Sequence, residues 1–215
     1  MAILYSAQLH PTKLELLAGW LPTQPWFAHD ADVPLDRVGA YRFDDPAGEV
    51  GVETILVRAD DTVLQVPLTY RDAPLPGADP WLVGTMEHSV LGTRWVYDAC
   101  TDPVYAATLA SVVLGDAVQA EEVVVTPDGE HQPRTPSTVV RAEPAGSATD
   151  APAPPVDGPV PCSTTGRATT ILIGGAELTV LRVLDLDVHG SALPALVGTW
   201  PEQAEPVLLA TARPI

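Results

Sequence analysis

The 215-residue sequence predicts an α+β fold: a curved antiparallel sheet with two packed helices, followed by a smaller β-rich module. Three strand-like segments, residues 33–43, 50–58 and 62–70, follow one another across short turns, which is typical of an antiparallel meander. Apolar residues recur at helical spacing in residues 11–21, and residues 102–114 form a second helical segment. Strand-like segments then return in the second half of the chain.

The two helices have recognisable boundaries. In the first, Pro11 suits the first helical position and Pro22 ends the pattern. In the second, Asp102 is expected to cap the helix, Pro103 to occupy its first position, and Gly115 to terminate it.

The second half is predicted to contain strands over residues 118–126, 137–143, 169–173, 177–186 and 207–212, with a hairpin turn at 174–175 and a polar loop at 163–166. Residues 144–161 are rich in proline, alanine and glycine, a composition that favours a mobile linker or long loop. The expected division is therefore a domain over 1–115, a β-rich connection over 116–143, the linker, and a β-rich module over 162–215.

The composition limits the classes of partner and the cellular location expected for the chain. The 28 acidic and 11 basic residues give a formal net charge of −17, which argues against partners such as nucleic acid and anionic membranes. Lys13 is the single lysine and is expected on an exposed helix. Cys100 and Cys162 are interpreted as free thiols in a reducing compartment. With no signal-peptide pattern and no apolar run of about 18 residues, a cytoplasmic location is expected.

Two segments carry a family resemblance. Residues 20–27, WLPTQPWF, resemble the W-L-x-x-Q-R-W-Y/F run at the start of maltokinases and related aminoglycoside-phosphotransferase-like kinases. Residues 84–92, GTMEHSVLG, with 94–99 and Asp102-Pro103, resemble a segment of the N-terminal cap of those kinases, and residues 64–70 resemble its third strand. The resemblance extends over about residues 10–115 and implies a kinase cap-like domain. Residues 169–184 resemble, by strand, glycine turn and strand only, the small lobe that holds nucleotide.

Departures from this family pattern shape the functional expectation. Pro25 stands where the family usually has arginine. The strand after the glycine turn should carry a lysine that pairs with ATP phosphates, but Arg182 is the nearest cation there and is a poor substitute. The sequence also supplies no segment with a catalytic aspartate followed by an asparagine, nor a second metal-binding aspartate, which phosphoryl transfer requires.

These features predict a non-catalytic accessory or binding protein, linked by the resemblance to maltose, trehalose and α-glucan metabolism. The alternative is the N-terminal part of a split sugar or aminosugar kinase whose catalytic lobe is on another chain. Candidate partners are a sugar-kinase catalytic subunit, an α-glucan or trehalose enzyme, and a small sugar ligand. No catalytic residue, cofactor or metal is assigned.

Ligand or interface candidates are Trp26, Glu87, His88, Trp95 and Asp98. Glu87, His88, Asp98 and Asp102 have the residue types of a metal or acid–base site, but Glu87 and His88 adjoin and should point to opposite faces of a strand. The tryptophans at 20, 26, 81 and 95 suit either a sugar-stacking platform or, more commonly, a core. Asp185, Asp187 and His189 suit either metal ligation or a solvated strand end.

Overall fold

A computed structural model describes residues 2–5, 7–115, 117–126, 128–143 and 158–215. It contains two antiparallel six-stranded sheets, a small third sheet and two α-helices within these residues. The predicted α+β class, with an antiparallel sheet and two helices, is confirmed. Most of the predicted linker, residues 144–157, lies outside the described residues.

The first sheet has the order β2-β6-β7-β5-β4-β3. Its strands are β2 (Leu9–His10), β3 (Leu35–Phe43), β4 (Gly51–Ala59), β5 (Thr62–Arg71), β6 (Leu82–His88) and β7 (Gly92–Asp98). Strands β3, β4 and β5 pair as the predicted meander. Helix α1 (Lys13–Trp20) precedes this meander, and helix α2 (Pro103–Leu114) follows β7.

The second six-stranded sheet has the order β10-β14-β15-β13-β12-β11. Its strands are β10 (Val139–Glu143), β11 (Cys162–Thr165), β12 (Ala168–Ile173), β13 (Ala176–Leu181), β14 (Ala195–Trp200) and β15 (Gln203–Pro214). In the third sheet, β1 (Ala2–Tyr5) runs parallel to β8 (Glu122–Val125), which pairs with β9 (His131–Arg134).

Alternating side chains of the first sheet pack against different helices. On β4, Ile55 and Val57 join the apolar cluster that contains Leu17 of α1, whereas Val52 and Leu56 join the cluster that contains α2. This two-residue period gives the strand two buried faces, as expected when each face of a sheet is covered. The first sheet therefore lies between α1 on one side and α2 on the other.

The cluster around α2 also contains the second sheet. Leu109 of α2 belongs to the same buried cluster as Tyr41 of β3, Leu178 of β13 and Leu209 of β15. Apolar packing therefore continues across the predicted boundary at residue 115, although the division into domains stays a prediction.

The two large sheets also meet along one edge of β5. Strand β7 pairs with this edge at residues 68–71. Further along the same edge, Leu64 bridges Val183, the Gln65 N–H donates to the Arg182 carbonyl at 2.8 Å, and the Leu184 N–H donates to the Val63 carbonyl at 2.9 Å. The segment after β13 thus completes hydrogen bonds that β7 does not reach.

Helix α2 and its cap match the prediction, while α1 begins later than predicted. Thr12 is the N-cap of α1, and its side chain and that of Glu15 form a reciprocal capping box. Pro11 therefore precedes the helix instead of occupying its first position.

The second half differs more from its prediction. The expected polar loop at 163–166 is largely strand β11, whose threonines and serine pair with β12. Strands β9 and β14 were not predicted. Val160, within the predicted linker, is buried and its N–H donates to the Thr101 carbonyl at 2.8 Å.

Candidate functional site

A buried ion pair lies where β7 and the segment after β13 approach each other. One guanidinium nitrogen, Nη2 of Arg182, lies 2.7 and 2.6 Å from the two carboxylate oxygens of Asp98. Nε of Arg182 donates to the Thr169 hydroxyl at 2.8 Å. Burial alone would lower the pKa of Arg182, but the charge of Asp98 holds it above its usual value. Arg182 is therefore a fixed cation enclosed by protein.

Trp26 lies beside this pair. The guanidinium carbon of Arg182 is 5.4 Å from the centre of the Trp26 ring, and the ring makes an edge contact with Trp20 at 6.0 Å. A cation thus contacts this tryptophan although Pro25 removes the arginine that the resemblance places next to it. The cation comes from a residue more than 150 positions along the chain, so no local signal could have predicted it.

A second charged cluster surrounds Glu53, which is 2% exposed. Its carboxylate accepts from Lys13, lies 3.1 Å from Nη2 of Arg42, and accepts from the Tyr70 hydroxyl at 2.8 Å. Burial alone would raise the pKa of Glu53, but the charges of Arg42 and Lys13 hold it well below its usual range. Burial lowers the pKa of Lys13, and Glu53 opposes this effect.

This cluster changes the interpretation of Lys13. The lysine was expected on an exposed helix, but its side chain is only 21% exposed and crosses to the sheet to reach Glu53. It also lies 5.1 Å above the Tyr70 ring. Lys13 therefore anchors the start of α1 to the first sheet.

Asp102 organises a third charged group. Its two oxygens pair with Nε and Nη2 of Arg71 at 2.7 and 2.8 Å, and it accepts from the Thr69 hydroxyl at 2.8 Å. The same carboxylate accepts from the Val104 N–H at 2.9 Å, which confirms the predicted cap of α2. Sequence reasoning identified the cap but not the ion pair.

The remaining predicted residues are spread along the first sheet. Glu87 is exposed and accepts from the Thr93 hydroxyl at 2.7 Å. His88 accepts from the Val90 and Leu91 N–H groups at 3.2 and 3.1 Å. Trp95 is half-buried and packs in a small separate cluster with Tyr97, Leu75 and Trp81. The four tryptophans thus divide between two clusters instead of forming one platform.

Possible metal ligands are not clustered in the described residues. No group of three histidine, cysteine, aspartate or glutamate side chains there could hold a metal ion. The His189 ring, a candidate metal ligand, contacts the Pro206 carbonyl at 2.8 Å through Nδ1.

No helix in the described ranges has the length and apolar character needed to cross a membrane. Cys100 and Cys162 are free thiols, and burial raises the pKa of Cys100 well above its usual value.

A pocket of about 770 Å³ lies beside the Glu53 cluster. It is bounded by β1, the turn between β3 and β4, and the hairpin between β6 and β7. His88 is the one predicted candidate that lines it, and the His88 ring contacts Tyr5 edge-on at 6.1 Å. Burial and the charge of Arg94 lower the pKa of His88, which favours a neutral ring.

In the described residues, an antiparallel sheet with a helix on each side is joined to a second β-sheet by the buried Asp98–Arg182 ion pair and by shared apolar packing. Residues 20–102 match the family model described as the maltokinase N-terminal cap domain. The resemblance is therefore confirmed for this part of the chain, which is related to maltokinase-type proteins. A comparison with curated proteins gave no match.

Proposed function

We propose that this chain is a non-catalytic accessory protein that uses its maltokinase cap-like region to bind a partner enzyme or a small sugar in maltose, trehalose or α-glucan metabolism. The match of residues 20–102 to the maltokinase N-terminal cap domain supports the metabolic context. Candidate partner enzymes are a sugar-kinase catalytic subunit and an α-glucan or trehalose enzyme.

The burial of Arg182 carries the non-catalytic part of the proposal. Arg182 is the cation nearest to the place where the resemblance expects a lysine for ATP phosphates, yet it is 0% exposed. Its contacts with Asp98 and Thr169 occupy Nη2 and Nε. Lys13, the single lysine, is held by Glu53. Neither cation is therefore presented to a nucleotide in the way that phosphoryl transfer needs.

ATP turnover tests this part directly. The purified chain is incubated with Mg²⁺ and ATP, with maltose, trehalose or glucosamine as acceptor, and ADP and phosphorylated sugar are measured. We expect no sugar-dependent turnover. Turnover that is lost in a folded Lys13→Gln or Arg182→Lys variant would contradict the proposal, because it would show that these cations serve the reaction.

The second candidate function is the N-terminal part of a split sugar or aminosugar kinase. It is favoured by the same family match, since a maltokinase cap is by description an N-terminal domain. An adjoining reading frame that encodes a kinase lobe with its aspartates, together with ATP turnover on mixing the two chains, would favour this candidate over an accessory protein.

A further inference from the structure

The pocket beside the Glu53 cluster has the size of a small-molecule site. Its volume of about 770 Å³ lies within the range of roughly 300–1,000 Å³ that is usual for ligand pockets. Apolar side chains of Leu4, Leu9 and Met86 line part of it, and the rings of Tyr5 and Tyr70 line another part. Such a lining offers flat apolar surfaces next to polar groups.

Charged groups of both signs line the same pocket. The cationic members are Lys13, Arg42 and Arg94, and the carboxylates are Asp44, Asp45, Glu49 and Asp72. Lys13 and Arg42 both contact Glu53, which partly neutralises them. The lining therefore has no cationic surplus, which disfavours nucleotides, phosphate and other anions.

Arg94 retains an unused hydrogen bond donor. Its Nη2 donates to the Leu91 carbonyl, but its buried Nε has no partner among the described residues. Because that Nε is shielded from solvent, a ligand in the pocket would meet the other guanidinium N–H groups of this half-buried side chain, which lines the pocket wall. Glu49 and Asp72, which are exposed and line the same pocket, add carboxylate acceptors.

We propose that this pocket binds a neutral carbohydrate of one or two sugar units, with Arg94 donating to a sugar oxygen and Asp72 accepting from a hydroxyl. A hydroxyl group both donates and accepts, so neighbouring hydroxyls can use cations and carboxylates at once. The C–H faces of the sugar pack against the Tyr5 and Tyr70 rings. The proposal rests on the sugar-binding role given above and assigns that role a site.

Isothermal titration calorimetry of the whole chain tests the ligand class. Maltose, trehalose and glucose are titrated in parallel with inorganic phosphate, glucose 6-phosphate, ATP and glucosamine. We expect at least one neutral sugar to bind, and more tightly than any of the four charged compounds. Tighter binding of a charged compound, or no heat from any neutral sugar, would overturn the proposal.

Variants test the location. Arg94→Gln and Asp72→Asn are each expected to weaken the binding of that sugar by about tenfold or more, because each removes a charged hydrogen bond partner. The matched control is Arg141→Gln on β10, an exposed arginine outside the pocket, which should leave the Kd unchanged. Thermal unfolding verifies that each variant is folded. If Arg94→Gln does not fold, Asp72→Asn decides the test.

The binding results distinguish a failure of this pocket from a failure of the proposed sugar-binding function. If a neutral sugar binds with the same Kd to both pocket variants and to the control, the sugar-binding role stands and this pocket is refuted. Absence of ATP turnover bears on the non-catalytic proposal alone, because the sugar titrations contain no nucleotide.

Discussion

Removal of the Arg182 guanidinium should strongly destabilise the fold. In the wild type Asp98 is 5% exposed; Arg182→Met removes its charged partner, while the Cys100 N–H at 3.2 Å remains as a donor. Breaking a buried ion pair by removing one partner costs about 3–5 kcal/mol, since the other charge stays desolvated. This loss is a large share of the roughly 5–15 kcal/mol by which a domain is stable.

The assay is urea denaturation followed by tryptophan fluorescence. We expect Arg182→Met to lower the unfolding midpoint markedly, and Arg182→Lys to fall between it and the wild type because lysine cannot reproduce the planar fork. The double variant Asp98→Leu with Arg182→Met should recover part of the loss, since neither charge then remains buried.

An exposed ion pair provides the control. Arg213 and Glu177 form a comparable contact at 2.8 Å on the surface of the second sheet, where the Arg213 side chain is 55% exposed. Solvent screens such pairs, so Arg213→Met should leave the midpoint nearly unchanged. Equal midpoints for Arg182→Met and the wild type, or a double variant less stable than Arg182→Met, would refute the argument from an uncompensated buried charge.

Two further predictions concern the other charged clusters. The pKa of Glu53 is lower in the folded chain than its ordinary value of 4.5, so its contribution to stability is fully present above about pH 5–6 and decreases as the pH falls below 4.5. Urea denaturation from pH 3 to pH 7 should show this acid loss in the wild type and less of it in Glu53→Gln; parallel pH profiles would contradict it. Asp102→Ala should cost more than the roughly 1 kcal/mol of a lost helix cap, because it also removes the carboxylate that pairs with Arg71. Thr12→Ala, at the exposed cap of α1, is the matched control, and equal losses in the two variants would contradict the added role of the ion pair.

The sequence predicted the features that depend on neighbouring residues. The β3–β5 meander follows from period-two patterning and short turns, and the α2 cap follows from Asp102-Pro103. The polar sequence of β11 gave no strand pattern. The strand is defined by its pairing with β12, which cannot be inferred from local hydrophobicity.

The site features depend on contacts that are distant in sequence. Lys13 and Glu53 are 40 positions apart, and Asp98 and Arg182 are 84 positions apart. Each residue viewed alone has an ordinary surface interpretation, and only the fold shows that it is buried with a partner. The unpaired Nε of Arg94 likewise has no signature in the sequence.

The segment around Arg182 completes one edge of β5, and this pairing affects how the chain folds. Leu64 pairs with Val183, so this part of β5 can form that bridge only after most of the chain has been synthesised. Such distant pairings slow folding, and an uncovered edge can recruit strands from other molecules. The matched region, residues 20–102, contains Asp98 but not Arg182. A fragment cut to those limits would keep Asp98 without Arg182 and leave this edge of β5 uncovered, so we expect the cooperative unit of folding to extend beyond residues 20–102.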